Sequence, residues 1–176
     1  MWFQVTGTHC NLQCAHCFIS CGPKSNAHDI LGLDVIRRYL NEALTLSVKE
    51  FYFTGGEPFL HPEIADILQE ALKYGTTTVL SNGTLITEGL SQTLGRVSRI
   101  SKHKLAFRVS LENFKEEEND QIRGEGAFKR AIRGIQSLVH AGFNPIITVA
   151  DWSKYGRFTK EMAEGFQSLE RSLNIP

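Results

Sequence analysis

Three cysteines fall close together in the stretch Cys10-Asn11-Leu12-Gln13-Cys14-Ala15-His16-Cys17, spaced x3 and then x2. Thiolates this closely spaced are good ligands for a soft metal ion or an iron–sulfur cluster. Three in place of four is informative, because a [4Fe–4S] cluster held by three thiolates leaves one iron open to a substrate or cofactor. Two alternatives stand beside this reading. A zinc site wants four ligands, which the three cysteines with His16 or Cys21 would supply. A closed cluster with Cys21 as fourth ligand would have only electron transfer as its task. A disulfide pair is disfavoured by the crowding and by the lack of any export signal.

Such residues need elements to hold them, and the chain supplies strands and helices in strict alternation. Residues 2–6, 50–54, 76–80, 105–111 and 143–149 read as short, buried strands. The first turns through Gly7-Thr8-His9 into the cysteine loop. Helical stripes follow at Ile36, Tyr39, Leu40 and Ala43, and at Ile64, Ile67, Leu68 and Ala71 between Pro62 and Gly75. Thr87 can cap a third helix through Leu90 and Leu94. A fourth spans 128–140, and a last one carries Phe158, Met162, Phe166, Leu169 and Leu173. Residues 113–126 read as a polar loop, with Glu116-Glu117-Glu118 as a solvated acidic run.

Five strand–helix units predict an α/β fold with a parallel sheet, a partial (β/α) barrel. The unusual residues all follow a predicted strand: the cysteine loop, Gly55-Gly56-Glu57-Pro58, Ser81-Asn82-Gly83 and Ser110-Leu111-Glu112. In (β/α) barrels the active site is built at that end of the strands. Four chemically loaded segments converging on one rim do not suit a plain electron-transfer module.

Composition sets the outer bounds. At 176 residues with 41% hydrophobic and 22% charged content, the chain can bury one real core. Formal net charge is zero, so no basic field argues for nucleic acid. No run of about eighteen apolar residues suggests a membrane span. Four cysteines without an export signal suggest a reducing cytoplasm.

The cysteine spacing, together with Gly55-Gly56-Glu57-Pro58 about forty residues on, closely resembles the radical S-adenosylmethionine (SAM) enzymes. The resemblance implies a [4Fe–4S] cluster on Cys10, Cys14 and Cys17. Its open iron is chelated by SAM, which is cleaved to a 5′-deoxyadenosyl radical that abstracts hydrogen from a substrate. Gly55, Gly56 and Glu57 match the family's GGEP motif, which holds the SAM amino group. Ser110-Leu111-Glu112 with Asp120-Gln121-Ile122-Arg123 is similar to the S-L-D…D-x-x-R stretch of anaerobic sulfatase maturases, whose Ser and Arg reach the SAM ribose and carboxylate. Glu112 stands where Asp is usual. Ser81 and Asn82 match the family's S-N-G turn, Asn82 either touching the cofactor or only shaping the turn. His16 stands beside the adenine, contacting it through its backbone. Cys21 is a small semi-buried residue or a free thiol, and the other five histidines are not ligands.

The branch implied is that of molybdenum-cofactor GTP cyclases, sulfatase maturases, peptide-modifying and haem-pathway enzymes. A flavodoxin- or ferredoxin-type reductant and a peptide or small-molecule substrate follow as expected partners. The family core has six βα units. Residues 1–176 are therefore expected as one core domain lacking its last unit, with a sheet edge open to self-association.

Overall fold

The computed structural model describes residues 1–150 and 159–175. Phe158, expected on the last helical stripe, lies outside them. Five parallel strands pair in the order β1 (Trp2–Gln4), β2 (Glu50–Thr54), β3 (Thr76–Ser81), β4 (Leu105–Ser110) and β5 (Ile146–Thr148). Each strand lies beside its neighbours in sequence, as in a barrel. Among the described residues the sheet is open, with β1 and β5 each paired on one side only. Between the strands run α1 (Leu33–Thr45), α2 (Ile64–Ala71), α3 (Glu88–Ile100), α4 (Glu116–Arg123) and α5 (Ala127–His140), and α6 (Lys160–Ser172) follows β5.

The period of two decides which sheet face is covered. Phe51, Phe53, Thr77, Val79, Phe107 and Val109 are buried. All but Thr77 pack with Ile36, Leu40, Ile67, Leu68, Leu94, Ile135 and Leu138 from the helices in one core. Burying each such aliphatic or aromatic side chain stabilises the fold by about 1.5–3 kcal/mol. The intervening residues face the open side. Trp2, Tyr52, Thr78 and Ala106 form one row across the ladder. Trp2 remains 62% exposed and stacks on Tyr52 at 4.6 Å.

Several expectations hold in detail. Thr87 caps α3 by accepting from the Leu90 N–H at 3.3 Å. On α1 the stripe is Ile36, Leu40 and Ala43. Tyr39, expected on that stripe, is instead exposed, with the Arg38 guanidinium 5.2 Å above its ring. β5 is shorter than the predicted 143–149. The Phe143 N–H turns back to Leu138 O at 3.0 Å, and Pro145 has no N–H to give a ladder.

The polar loop expected over 113–126 is corrected by α4. This helix has no apolar stripe to announce it, because its buried side chains are Asn119 and Arg123. The acidic run Glu116-Glu117-Glu118 forms its first turn and Arg123 its last, the arrangement a helix dipole favours. Asp120 caps the next helix, its Oδ2 accepting from Gly126 N at 2.6 Å and its Oδ1 from Phe128 N at 2.8 Å.

Between β1 and α1 the cysteine loop makes a long excursion that closes at its base. Leu31 N donates to Val5 O at 2.9 Å, and His9 pairs with Gly22 partway along. His61 fastens the base to the start of α2. Its Nδ1 accepts from the Glu63 N–H at 3.1 Å, so its Nε2 donates to Leu31 O at 2.9 Å. Among the described residues no helix is long and apolar enough to cross a membrane.

Candidate functional site

The cysteine loop is braced by the exits of β2, β3 and β4. At β2 the contact is backbone on backbone: Glu57 N donates to His9 O at 3.0 Å. A Cβ on Gly56 would lie 2.1 Å from His9 O and 2.8 Å from Cys10 N, so only glycine allows this approach. Gly55 is similarly confined, with a Cβ position 2.1 Å from Thr6 Oγ1.

Glu57 turns inward. It is fully buried, and its carboxylate accepts from Ser81 Oγ at 2.8 Å, Asn82 N at 2.8 Å and Phe59 N at 3.1 Å. Burial pushes its carboxyl up to about 7, against those three donors and the more distant Arg123 charge, which favour the ionised form. Ser81 is likewise spent inside the rim, since its Oγ also accepts from Gly83 N at 2.8 Å. The structure thus places the side chains of Glu57 and Ser81 as braces between β2 and β3, where the sequence offered them as ligand contacts.

Asn82 reaches the loop itself. Its Nδ2 lies 3.7 Å from Cys10 Sγ and 3.0 Å from Asn11 Oδ1. Neither Asn11 nor its partner Thr84 stood out in sequence. The only signal available was their position beside a ligand cysteine and the S-N-G turn.

Beyond β4, Glu112 is the node that sequence left unresolved. Its Oε1 accepts from Arg123 Nε at 3.0 Å, Arg123 Nη2 at 2.5 Å and His16 Nε2 at 2.9 Å. Its Oε2 accepts from Ala150 N at 3.3 Å. Both Glu112 and Arg123 are buried. Arg123 is therefore part of the rim. The Ala15 N–H donates to Ile122 O at 2.9 Å, so α4 holds the loop by backbone as well. Ser110 sits at the end of β4, its Oγ 3.5 Å from Thr148 Oγ1.

The donor set suits an iron–sulfur cluster. None of the four cysteines is in a disulfide. Cys10, Cys14, Cys17 and Cys21 share a small apolar cluster with Leu12 and Ala127. N–H groups meet two of the sulfurs, Leu12 N and Asn82 Nδ2 at Cys10 and Cys21 N at Cys17. Such donors stabilise thiolates bound to a cluster. Among the described residues no three His, Cys, Asp or Glu side chains converge tightly enough for a single ion. Burial pushes the Cys10 thiol up to about 11 and raises Cys14, so ligation must displace protons. Burial and the Cys17 sulfur push Cys21 to about 12.

Comparison with known proteins agrees. Residues 5–151 match the model of the Radical SAM superfamily. The chain is 28% identical over 169 residues to the antilisterial bacteriocin subtilosin biosynthesis protein AlbA of Bacillus subtilis, covering 95% of this chain and 36% of that protein. It is 31% identical over 146 residues to the AdoMet-dependent heme synthase of Methanosarcina barkeri, covering 81% and 39%. The chain thus spans less than two fifths of the length of these relatives. Among solved structures it is similar in fold to Streptococcus suis SuiB bound to S-adenosylmethionine, with a TM-score of 0.77 at 18% identity, covering 99% of this chain and 38% of SuiB.

Proposed function

Since the chain belongs to the radical SAM superfamily, we propose that it is the catalytic core of an enzyme that uses a [4Fe–4S] cluster and SAM to abstract hydrogen from a peptide or small-molecule substrate. When bound, the two cofactors supply one-electron reductive cleavage of SAM and, through it, hydrogen-atom abstraction.

The residues divide that work among them. Cys10, Cys14 and Cys17 hold the cluster. The carbonyls of Gly55 and Gly56 accept the SAM ammonium, while Glu57 and Ser81 keep those glycines in place from behind. Ser110 holds the ribose, and Arg123 holds the carboxylate through charge-assisted bonds that a guanidinium makes well. His16 presents its backbone to the adenine, with its ring tied back by Glu112. Cys21 lies outside the ligand set.

The observation that carries this reading is the bracing of one loop from three strand exits. Glu57 N reaches His9 O, Asn82 Nδ2 reaches Cys10 Sγ, and Glu112 reaches His16. A module built only to pass electrons has no need of that rim.

A peptide substrate is favoured by two relatives. One is named for bacteriocin biosynthesis, and SuiB has been solved bound to precursor peptide SuiA. A flavodoxin- or ferredoxin-type protein in a reducing cytoplasm would supply the electron. We take residues 1–176 as one core domain. Among the described residues β5 pairs only with β4, so its other edge is open to pairing with a second copy or a further segment. The test is anaerobic incubation of the reconstituted protein with SAM and dithionite, followed by chromatography. The expected products are 5′-deoxyadenosine and methionine. A fully loaded cluster that leaves SAM intact would sink the reading.

A further inference from the structure

The cysteine loop and the turn after β3 are joined by a closed ring of side-chain hydrogen bonds. Asn11 Nδ2 donates to Thr84 Oγ1 at 2.8 Å, and Thr84 Oγ1 donates to Asn82 Oδ1 at 2.7 Å. Asn82 Nδ2 completes the ring by donating to Asn11 Oδ1 at 3.0 Å. The backbone N–H of Thr84 also points at Asn82 Oδ1, at 2.9 Å.

A backbone N–H can only donate, so it fixes which end of the Asn82 amide faces it. The oxygen faces Thr84, and the NH2 group must therefore face the cysteine loop. Of its two hydrogens one is taken by Asn11, and the other is directed at Cys10 Sγ, 3.7 Å from the nitrogen. Asn82 is buried, and its own backbone N–H is held by Glu57 Oε2 at 2.8 Å. Nothing in this arrangement lets the amide turn over without losing two bonds.

Among the described residues three N–H groups thus meet the sulfurs of Cys10 and Cys17. Those of Leu12 and Cys21 belong to the backbone and stay whatever the side chain. Asn82 supplies the one that a substitution can remove.

We propose that Asn82 sets the reduction potential of the cluster through its Nδ2–H···Sγ bond to Cys10. The proposal rests on the cluster reading above and adds a role to a residue the sequence offered as a cofactor contact or a turn former. A hydrogen bond to a cysteine ligand draws charge from the sulfur and favours the state with one more electron. The bond strengthens on ligation, because a thiolate accepts better than a thiol. Asn82 acts through Cys10 and is a positioning and tuning residue, not a catalytic one.

The test uses the anaerobically reconstituted protein without SAM or substrate. Parent, Asn82→Leu, Asn82→Ala and Asn11→Ala are titrated with dithionite and followed by visible absorbance and electron paramagnetic resonance. At a fixed applied potential, both Asn82 variants should show a reduced-to-oxidised ratio lower by about tenfold, equivalent to ~59 mV for one electron. Asn11→Ala keeps the Cys10 donor and should move less than half as far. Unchanged midpoints in both Asn82 variants at full iron content overturn the proposal while leaving the cluster reading intact. A parent that assembles no cluster overturns both. A second measurement covers the case in which the Asn82 variants fail to load. Protein labelled with 15N in its asparagine side chains should show a 15N coupling to the reduced cluster that persists in Asn11→Ala, and its absence overturns the proposal.

Discussion

Arg123→Met keeps most of the arginine's volume and removes its charge, leaving Glu112 with a side chain only 2% exposed. Before the change, Glu112 Oε1 takes two bonds from Arg123 and one from His16, and Oε2 takes one from Ala150 N. Afterwards only the last two remain, and neither brings the fixed positive charge of a guanidinium. Breaking a buried ion pair from one side costs about 3–5 kcal/mol. The remaining donors place the expected loss near the lower figure, about 3 kcal/mol. For a chain of this length that should lower Tm by roughly 6–12 °C. Glu112→Leu combined with Arg123→Met removes both charges together, so it should recover much of the loss and show a coupling of about 2 kcal/mol. The assay is urea unfolding of the cluster-free, reduced protein by circular dichroism, for parent, both single variants and the double variant. Single losses below about 1 kcal/mol, or losses that add within about 0.5 kcal/mol, would refute the reasoning.

Three further outcomes are expected. Replacing Cys10, Cys14 or Cys17 by Ala should abolish cluster assembly while Cys21→Ala keeps it, as iron analysis and visible absorbance will report. Ser110→Ala should weaken SAM binding by roughly three- to tenfold with the cluster intact, measured by equilibrium dialysis; its Oγ has only a long contact to Thr148, so the fold should not suffer. Glu57 has a folded pKa raised from 4.5 to about 7 by burial, so its contribution to stability is whole below about pH 4.5 and is lost as pH rises towards 7. The cluster-free protein should lose up to about 3 kcal/mol across that window, and Glu57→Gln should flatten that part of the unfolding profile.

The fold was largely legible because its signals are local. Alternation at Phe51 and Phe53, and the helical stripes at Ile36, Leu40, Ile67 and Leu68, each announce an element within a few residues. The rim was legible as residue types in the right order: the cysteines, the paired glycines, Asn82 and Arg123. What sequence left open is decided by partners far along the chain. His16 meets Glu112, and Asn82 meets Asn11, across 96 and 71 residues. Helix α4 escaped for the same reason. Asn119 is fully buried, and its Oδ1 accepts from Glu112 N at 2.9 Å, a tertiary bond that no hydrophobic period can encode. Asp120 looked like part of a ligand motif, and its work is to cap α5.

The closed base of the cysteine loop has a consequence for how such chains diverge. Entry at Val5 and exit at Leu31 are stitched together, so the segment between them is a lasso whose two ends share one anchor. Its contents can change without altering where β1 ends or α1 begins. A loop transplanted from another family member would meet the scaffold where this one is tied: His9 O on Glu57 N, Cys10 and Asn11 on Asn82 and Thr84, Ala15 N on Ile122 O, and His16 on Glu112. Donor loops that keep an amide at the position of Asn11 and a partner for Glu112 at that of His16 should be interchangeable, while the exposed Phe18 makes no demand on the scaffold.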